Sequence, residues 1–386
     1  MIRAGKMGVV AAFVGFLWLI GVQIAWPFLA PGAPLMGVAP DPPAPRWDWS
    51  SLRRGETLRA VDAWYTAHVG LRNRWVRLDN QINYSVFGEI AYRGAGTEIV
   101  AGPHGWLFER IYLRESVQPA NENDAEVSAF ARTIRSVQDK LDRRGIPFLY
   151  VVAPNKAEIY PEEAPAAYFN GRRPDDVVTA FKQARPLLAA AGVNFCDGRA
   201  RYEQWKREGV PYLFARSGTH WSYDSALRVL QAVRENLNPR MRRPIPELTV
   251  LSRRLGRPRR SDRDLLDVVN LLRERPYEGR LPDPVLKRQT AIAPGDLPRI
   301  LWVHDSFGFT LIDLLYAANA VQPSESLFYF KTCYRLPGAP PCGIDVQKIE
   351  WNRFLDPYDA VVVVWTDVGF MHKAGGFFET LDRELH

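Results

Sequence analysis

RILWVHDSFGFT, residues 299–310, is the stretch that decides the fold of this chain. Its first half, residues 300–303, is a short apolar run of the kind that forms a buried strand. Its second half turns polar at residues 304–306, and an apolar, helix-like stretch follows at 311–318. The pattern predicts a strand, a tight turn and the start of a helix, with Ser306 on the turn.

Ser306 is the candidate nucleophile. A serine on such a turn projects its hydroxyl at the carboxyl end of a strand, next to helix N-terminal N–H groups that can stabilise an oxyanion. A nucleophilic serine needs a base. The segment SGTHWS, residues 217–222, carries His220 in a polar turn before a predicted helix, where loop-borne catalytic groups are often found. His220 is therefore the candidate base, and a packed structural histidine is the alternative.

The other apolar segments repeat the pattern of strand and helix. Continuous apolar strands separated by helices are typical of a mostly parallel sheet covered on both faces, so the predicted fold class is α/β. In such sheets the site lies outside the carboxyl ends of the strands, where Asn155, Asp197, Ser306 and Asp367 fall. Strands are predicted at 147–154, 193–196, 300–303, 326–330 and 360–365, and helices at 124–144, 175–191 and 223–237.

Residues 1–30 are predicted to form a cytoplasmic tip and a transmembrane anchor. Arg3 and Lys6 precede residues 7–30, which carry no charge, and a stretch of that length crosses the roughly 30 Å core of a bilayer. A cleavable signal peptide is the alternative, but its apolar core is shorter, roughly 7 to 15 residues. Positive charge before the span places the rest of the chain outside the cytoplasm. Residues 31–50 follow as a Pro-rich spacer.

Residues 51–386 are predicted to form one domain, which begins with two amphipathic helices between residues 55 and 88 and a hairpin at 97–108. The net charge of +7 invites a nucleic-acid partner. A chain exported past a membrane does not meet one, so anionic polysaccharide or lipid head groups are better candidates. An arginine-dense insertion at about 239–299, with a helical piece at 262–272, either lines a groove for an anionic polymer or is a solvated face.

Three cysteines are too few for a disulfide scaffold. Cys333 and Cys342 bracket a loop rich in Pro and Gly, and in an oxidising compartment they could close it with a disulfide. Cys196 lies in an apolar segment and is interpreted as a buried core thiol. The sequence contains no CxxC or HExxH motif, and neither a metal nor a cofactor is predicted.

Four blocks of the sequence together resemble the AlgJ and AlgX family of alginate O-acetyltransferases, whose catalytic domain is SGNH-hydrolase-like. The resemblance implies a three-layer α/β/α fold in which Ser306 takes the acetyl group as an ester and His220 acts as general base and then general acid. It also implies a periplasmic catalytic domain anchored in the inner membrane, a polysaccharide substrate, and a membrane-bound O-acyltransferase that delivers the acetyl group. The blocks are residues 65–89 with 102–109, VVAPNKAEIYPE at 151–162, THW at 219–221 and HDSF at 304–307.

The chain departs from the family pattern at Gly218, because an aspartate that orients the histidine is expected two residues before it. The candidate substitutes are Asp224, Asp305, a backbone carbonyl, or an acid brought from Asp197 or Asp367. Candidate substrate contacts are Asn155, Lys156 and Trp221. Two other functions stay open on the sequence: a polysaccharide acetylesterase with the same nucleophile, and a non-catalytic factor for polysaccharide binding or export.

Overall fold

The structure is a computed structural model and describes residues 2–26, 32–90, 93–94, 97–273 and 280–385. Its contacts divide the chain into two units. One comprises residues 1–99 with 266–275, and the other comprises residues 100–265 with 276–386. The sequence boundaries proposed at residues 30 and 50 stay predictions.

The first unit consists mainly of helices. Residues 6–24 within its first helix are long and apolar enough to cross a membrane, which fits the predicted anchor. The predicted end of the span, residues 27–30, lies outside the described residues. Two amphipathic helices follow, as the sequence predicts. The bounds are α1 Ile2–Ala25, α2 Trp49–Arg53, α3 Glu56–His68 and α4 Arg72–Ile82, followed by a π-helical turn, Asn83–Phe87, and the short strand β1, Arg93–Gly94.

The rest of the chain alternates strands and helices. In chain order the elements are β2 Thr97–Ala101, β3 Leu107–Glu109, α5 Arg110–Glu115, α6 Asp124–Arg143, β4 Phe148–Ala153, α7 Lys156–Ile159, α8 Ala180–Ala190, β5 Phe195–Asp197, α9 Gly198–Arg207, α10 Tyr223–Leu237, β6 Val250–Gly256, α11 Asp264–Val269, β7 Leu281–Leu286, β8 Ile300–His304, α12 Gly308–Ala317, β9 Ser324–Phe328, β10 Thr332–Leu336, α13 Trp351–Phe354, β11 Ala360–Thr366 and α14 Phe377–Glu384.

The central sheet has the order β10-β9-β8-β11-β4-β5 within the part of the chain that the structure describes. Strands β9, β8, β11, β4 and β5 pair in parallel, and β10 pairs antiparallel with β9 at one edge. The predicted mostly parallel α/β sheet is confirmed. Strand β10 falls in a segment for which the sequence predicts only a loop rich in Pro and Gly.

Both faces of this sheet are covered, because successive side chains of a strand point to opposite sides. Along β4, Leu149 and Val151 enter a core shared with α10 and α12. The alternate residues Phe148 and Tyr150 enter a second core, shared with α6, α8 and α14. The sheet is thus the middle layer of three, and the carboxyl ends of its five parallel strands lie on the same side.

Two predicted elements differ in their bounds for backbone reasons. Helix α8 begins at Ala180 rather than at residue 175, because Pro174 opens a separate 3-10 turn and Val177 is extended. Strand β9 ends at Phe328 rather than at residue 330, since Tyr329 and Phe330 both take a positive φ, 50° and 53°. A strand cannot continue through that region of backbone space.

The insertion contains more regular structure than its sequence indicates. Strands β6 and β7 pair antiparallel, and the helical piece predicted at 262–272 is the shorter α11. Five consecutive residues of β6 are exposed, so the strand lacks the alternation of polar and apolar residues that would identify it.

Candidate active site

Ser306 lies on the turn between β8 and α12, as predicted. The preceding residue holds the turn in place: the Asp305 carboxylate accepts hydrogen bonds from the backbone N–H of Phe307 at 2.9 Å and of Thr366 at 2.6 Å. Burial raises the pKa of Asp305 to about 6, and these two donors work in the opposite direction. Asp305 therefore braces the turn that carries Ser306.

Gly308 is required where α12 begins. A Cβ atom at this position would lie 2.5 Å from the Cβ and Cγ atoms of His304. The His304 ring is buried, and its Nδ1 donates to the Asp305 carbonyl at 2.6 Å. Burial lowers the pKa of His304 to about 4, so this neighbouring histidine stays neutral and acts as packing for the turn.

His220 and Ser306 line the same cavity, of about 730 Å³. The His220 ring packs against Phe307, the residue after Ser306, with ring centroids 4.7 Å apart. Its Nε2 atom is buried and has no hydrogen-bond partner among the described residues. The nitrogen that a general base would use is thus not bonded to another described group of the protein.

A carboxylate absent from the sequence-based candidates lies on the other side of the ring. The Oδ2 atom of Asp264 is 2.6 Å from His220 Nδ1. Its Oδ1 atom accepts hydrogen bonds from the backbone N–H of Thr219 and of Leu265, both at 2.9 Å. Asp264 belongs to the arginine-dense insertion, and no local motif marks it, so only its position in space identifies it.

Burial works to lower the pKa of His220, but nearby carboxylates outweigh it and leave the pKa above the ordinary value of 6.5. Asp264 contributes most to that rise, followed by Asp305 and Glu109. Glu109 is the last residue of β3, and burial raises its pKa, while a hydrogen bond from Thr219 acts the other way. Glu109 is the last residue of the block at 102–109, which contributes to the family resemblance. Its carboxylate has no role predicted from the sequence.

Tyr329, directly after β9, interacts with Ser306. Hydrogen bonding with the side chain and backbone of Ser306 works to lower the pKa of the Tyr329 hydroxyl. Burial and, to a smaller extent, the nearby Asp305 charge raise the pKa of this hydroxyl above its ordinary value. The hydroxyl therefore stays protonated near neutral pH. The positive φ of Tyr329 directs the chain out of the sheet at this point, and no sequence motif signals that turn.

The N–H groups predicted to stabilise an oxyanion are already occupied. The Phe307 N–H donates to the Asp305 side chain, and the Gly308 N–H donates to the Asp305 carbonyl at 3.2 Å. The protonated Tyr329 hydroxyl, which interacts with Ser306, is a donor that can take this role.

Lys156 lies inside the protein rather than in the cavity. Its Nζ donates to four backbone carbonyls, those of Leu107, Ala215, Arg216 and Gly218, at 2.6 to 3.0 Å. It also lies 4.8 Å from the centre of the Trp106 ring. A buried ammonium with this set of partners fixes the segment that leads to His220.

Asn155 and Trp221, the other candidate substrate contacts, are also buried. The Asn155 side chain caps α7 through Ala157 N–H and donates to the Tyr112 carbonyl at 2.8 Å. The Trp221 ring is fully buried and packs edge-on against Phe307, with centroids 5.2 Å apart. Trp221 thus lies behind the histidine, in the core.

The four acids proposed as substitutes each have other partners. Asp224 pairs with Arg253 at 2.5 Å, and Asp305 braces the turn. Asp197 caps α9 and pairs with Arg185 at 3.3 Å. Asp367 accepts from Asn155 N–H at 3.0 Å, and burial raises its pKa to about 7.

The far wall of the cavity comes from the insertion and from the loop after β10. Arg259 forms a bidentate ion pair with Asp283. Its guanidinium carbon lies 4.1 Å from the centre of the Tyr223 ring. Arg260 pairs with Asp313. The predicted Cys333–Cys342 disulfide is present and closes the loop that includes Pro337 and Gly338 of this wall. Cys196 is a buried free thiol, as predicted.

The family described as SGNH hydrolase-like domain, acetyltransferase AlgX, matches residues 99–299, which include His220 and end before Ser306. Over 249 residues the chain is 28% identical to the probable alginate O-acetylase AlgJ of Pseudomonas aeruginosa, covering 63% of this chain and 58% of that relative. This chain therefore spans less than two thirds of the length of that relative. Over 285 residues the chain is 25% identical to the probable alginate O-acetylase AlgJ of Pseudomonas putida, covering 71% and 68%.

Two solved structures are similar at a lower level. The O-acetyltransferase domain of Pseudomonas putida AlgJ aligns with a TM-score of 0.44 and 18% identity, over 74% of this chain and 98% of that one. AlgX of Pseudomonas aeruginosa aligns with a TM-score of 0.42 and 14% identity, over 70% and 62%.

Proposed function

This chain belongs to the AlgX family of SGNH hydrolase-like acetyltransferase domains, and we propose that it transfers acetyl groups to hydroxyls of a secreted polysaccharide through an acetyl-Ser306 intermediate. The observation that carries the proposal is the shared cavity, which brings Ser306 together with a histidine whose Nε2 is unoccupied. The relatives named alginate O-acetylases make an alginate-like polymer the first substrate to test.

The first half of the reaction loads the serine. His220 Nε2 takes the proton of Ser306 Oγ, and Oγ attacks the carbonyl carbon of the donor's acetyl group. The tetrahedral oxyanion accepts a hydrogen bond from the Tyr329 hydroxyl. As the intermediate collapses, the bond to the donor breaks and the leaving group takes the proton from His220. The products are acetyl-Ser306 and the protonated donor remnant.

The second half passes the acetyl group on. A sugar hydroxyl gives its proton to His220 Nε2 and attacks the acetyl carbon, again through an oxyanion near Tyr329. The bond to Ser306 Oγ then breaks, and His220 returns the proton to the serine. An esterase would use water in this half, so transfer and hydrolysis differ only in the acceptor.

The apolar first helix supports a location for the proposed acetyl transfer. The apolar first helix, preceded by positive charge, favours a catalytic unit on the periplasmic side of the inner membrane. Acetyl groups must then be delivered across that membrane. We propose a membrane-bound O-acyltransferase as the partner that supplies them.

The test combines an activated acetyl ester with oligosaccharides, and mass spectrometry detects both acetylated sugar and acetylated protein. Ser306→Ala is expected to abolish both signals, whereas Ser252→Ala, at an exposed serine, leaves them unchanged. Release of acetate without acetylated sugar at saturating acceptor would identify an esterase. In cells, unchanged acetylation of the polymer in the Ser306→Ala strain would contradict the acetyltransferase proposal. It would favour a non-catalytic role in polysaccharide binding or export.

A further inference from the structure

The position that carries the orienting aspartate in the resembled family is filled here by backbone from elsewhere. A Cβ atom at Gly218 would lie 2.3 Å from the Ser261 carbonyl oxygen and 2.8 Å from the Asp262 carbonyl carbon. Contacts this short are not tolerated, and backbone atoms cannot rotate away as a side chain would. An aspartate at position 218 is therefore sterically excluded while the 261–262 segment is in place.

The segment that excludes a side chain at position 218 is the one that brings Asp264. The Ser217 hydroxyl donates to the Asp262 carbonyl at 2.9 Å, and the Thr219 N–H donates to the Asp264 carboxylate at 2.9 Å. These two hydrogen bonds involve the residues directly before and after Gly218. They join the loop that carries His220 to the insertion.

We propose that the carboxylate that positions His220 has moved from the histidine loop to Asp264 of the insertion, with Gly218 as the matching change that makes room for it. This inference rests on the proposed function of Ser306 and His220. Asp264 is a positioning residue, because its contacts lead to the imidazole and not to the nucleophile.

The bonding of the Asp264 carboxylate suits this role. Oδ1 takes two backbone N–H groups, which fix the orientation of the carboxylate, and Oδ2 is left for His220 Nδ1 at 2.6 Å. An acceptor on Nδ1 holds the ring in the tautomer whose Nε2 can receive a proton. Glu109 also acts on the histidine electrostatically, but its carboxylate is hydrogen-bonded to Thr219.

The relocation makes one stretch of the insertion, residues 259–264, part of the catalytic machinery. Arg259, Arg260 and Ser261, which line the cavity, immediately precede the segment that carries the carboxylate. One stretch of chain therefore supplies both a wall of the cavity and the support of the base, so changes in this stretch are expected to act on turnover as well as on substrate binding.

The test is Asp264→Asn in the full-length protein. The amide oxygen of asparagine can still accept the Thr219 and Leu265 N–H groups, while the amide NH₂ replaces the acceptor at His220 Nδ1. We expect kcat for acetyl transfer to fall by about 10³-fold or more, with little change in KM. Asp296→Asn, at an exposed aspartate of the same insertion, is the matched control and is expected to stay within twofold of wild type.

A second readout does not depend on acetyl transfer. In protein labelled with ¹⁵N-histidine, the His220 imidazole, assigned by its loss in His220→Gln, is titrated by NMR. Removing the Asp264 charge takes away the largest effect that opposes burial, so the pKa of His220 falls in Asp264→Asn. The acid limb of kcat/KM moves to lower pH with it, since the base must be neutral to act.

Relocation itself is tested with Gly218→Asp in the Asp264→Ala background, where steric exclusion predicts no recovery of activity. Recovery to within threefold of wild type would overturn the relocation, as would an unchanged His220 titration and rate in Asp264→Asn. If wild type and Ser306→Ala are equally inert towards the donor, the proposed function fails, and the titration still decides whether Asp264 holds His220.

Discussion

At the scale of single residues, the site depends on side chains that are fixed before substrate arrives. Asp305 braces the nucleophile turn, and Lys156 fixes the segment before His220. Tyr329 is directed to Ser306 by a backbone conformation that few residues other than glycine adopt. Preorganised groups of this kind do not have to be rearranged as charge develops during the reaction.

Removing the Tyr329 hydroxyl tests its proposed contact with the oxyanion. Tyr329→Phe keeps the ring, which packs edge-on against Trp365, and deletes only the donor. We expect kcat for acetyl transfer to fall by about 10²-fold, as for the loss of one oxyanion donor, with KM within threefold. Tyr212→Phe, at an exposed tyrosine, is the control. Steady-state kinetics that show equal rates for both variants would place the oxyanion elsewhere.

Replacing Lys156 by methionine tests its structural role. The variant leaves four backbone carbonyls without their ammonium donor in a buried position, so the free energy of unfolding is expected to drop by about 2 to 4 kcal/mol. Urea denaturation followed by circular dichroism measures the change. Lys331→Met, at an exposed lysine, is expected to change stability by less than about 0.5 kcal/mol. Equal stability of the two variants would contradict the buried role.

At the scale of elements, the carboxyl ends of the parallel strands gather the polar residues, and the edge of the sheet shapes the cavity. Strand β10 leads into the loop that contributes Pro337 and Gly338 to the cavity wall. The disulfide and a hydrogen bond from Cys342 N–H to the Cys333 carbonyl, at 3.0 Å, tie the two ends of this loop together. The cavity therefore has one wall held covalently and another supplied by the insertion.

Opening the disulfide tests the role of this loop. We expect the double variant Cys333→Ser/Cys342→Ser to lose about 2 to 3 kcal/mol of stability, as for the opening of a short covalent loop. KM for the acceptor rises because the cavity wall loosens, while the rate at which a small arylsulfonyl fluoride labels Ser306 stays within twofold. Thermal melts and labelling time courses measure these quantities. A slowed labelling rate would show instead that the loop supports the nucleophile.

At the scale of the whole molecule, an apolar helix and a catalytic unit with a three-layer core occur in one chain. The helix has a mean hydropathy of 2.2 over residues 6–24, whereas residues 32–45 contain no helix or strand. The Pro-rich composition of this segment is typical of a stiff spacer.

Charging the helix tests the anchor. Val14→Arg/Leu17→Arg places two charges near the middle of the span, at a cost of roughly 2.5 to 3.5 kcal/mol each. The protein is expected to leave the membrane fraction on alkaline carbonate extraction. Leu58→Arg, at an exposed leucine of α3, should stay with the membranes. Retention of the double variant would show that another part of the chain holds it there.

Much of the fold follows from local pattern. The strands β4, β8 and β11 are continuous apolar runs, and the apolar character of α1 is visible without any partner. The place of Ser306 at the carboxyl ends of the strands follows from a general rule for parallel sheets, whereas the order of the strands is known only from the structure. The sequence does not predict strand β6, because its exposed residues do not alternate with buried ones. The predicted bounds of β9 lie two residues too far along the chain, because the positive φ angles of Tyr329 and Phe330 cannot be inferred from their residue types.

The sequence by itself determined the α/β fold class, the apolar helix, the Ser306 turn and the histidine loop, because burial and turn formation are encoded in neighbouring residues. Only the tertiary structure decided which carboxylate meets His220, which hydroxyl reaches Ser306 and why position 218 is glycine. Asp264 and Thr219 are 45 residues apart, and their contact depends on how the insertion lies against the histidine loop. Juxtapositions of this kind leave no periodic trace along the chain, since they are set by the packing of distant segments.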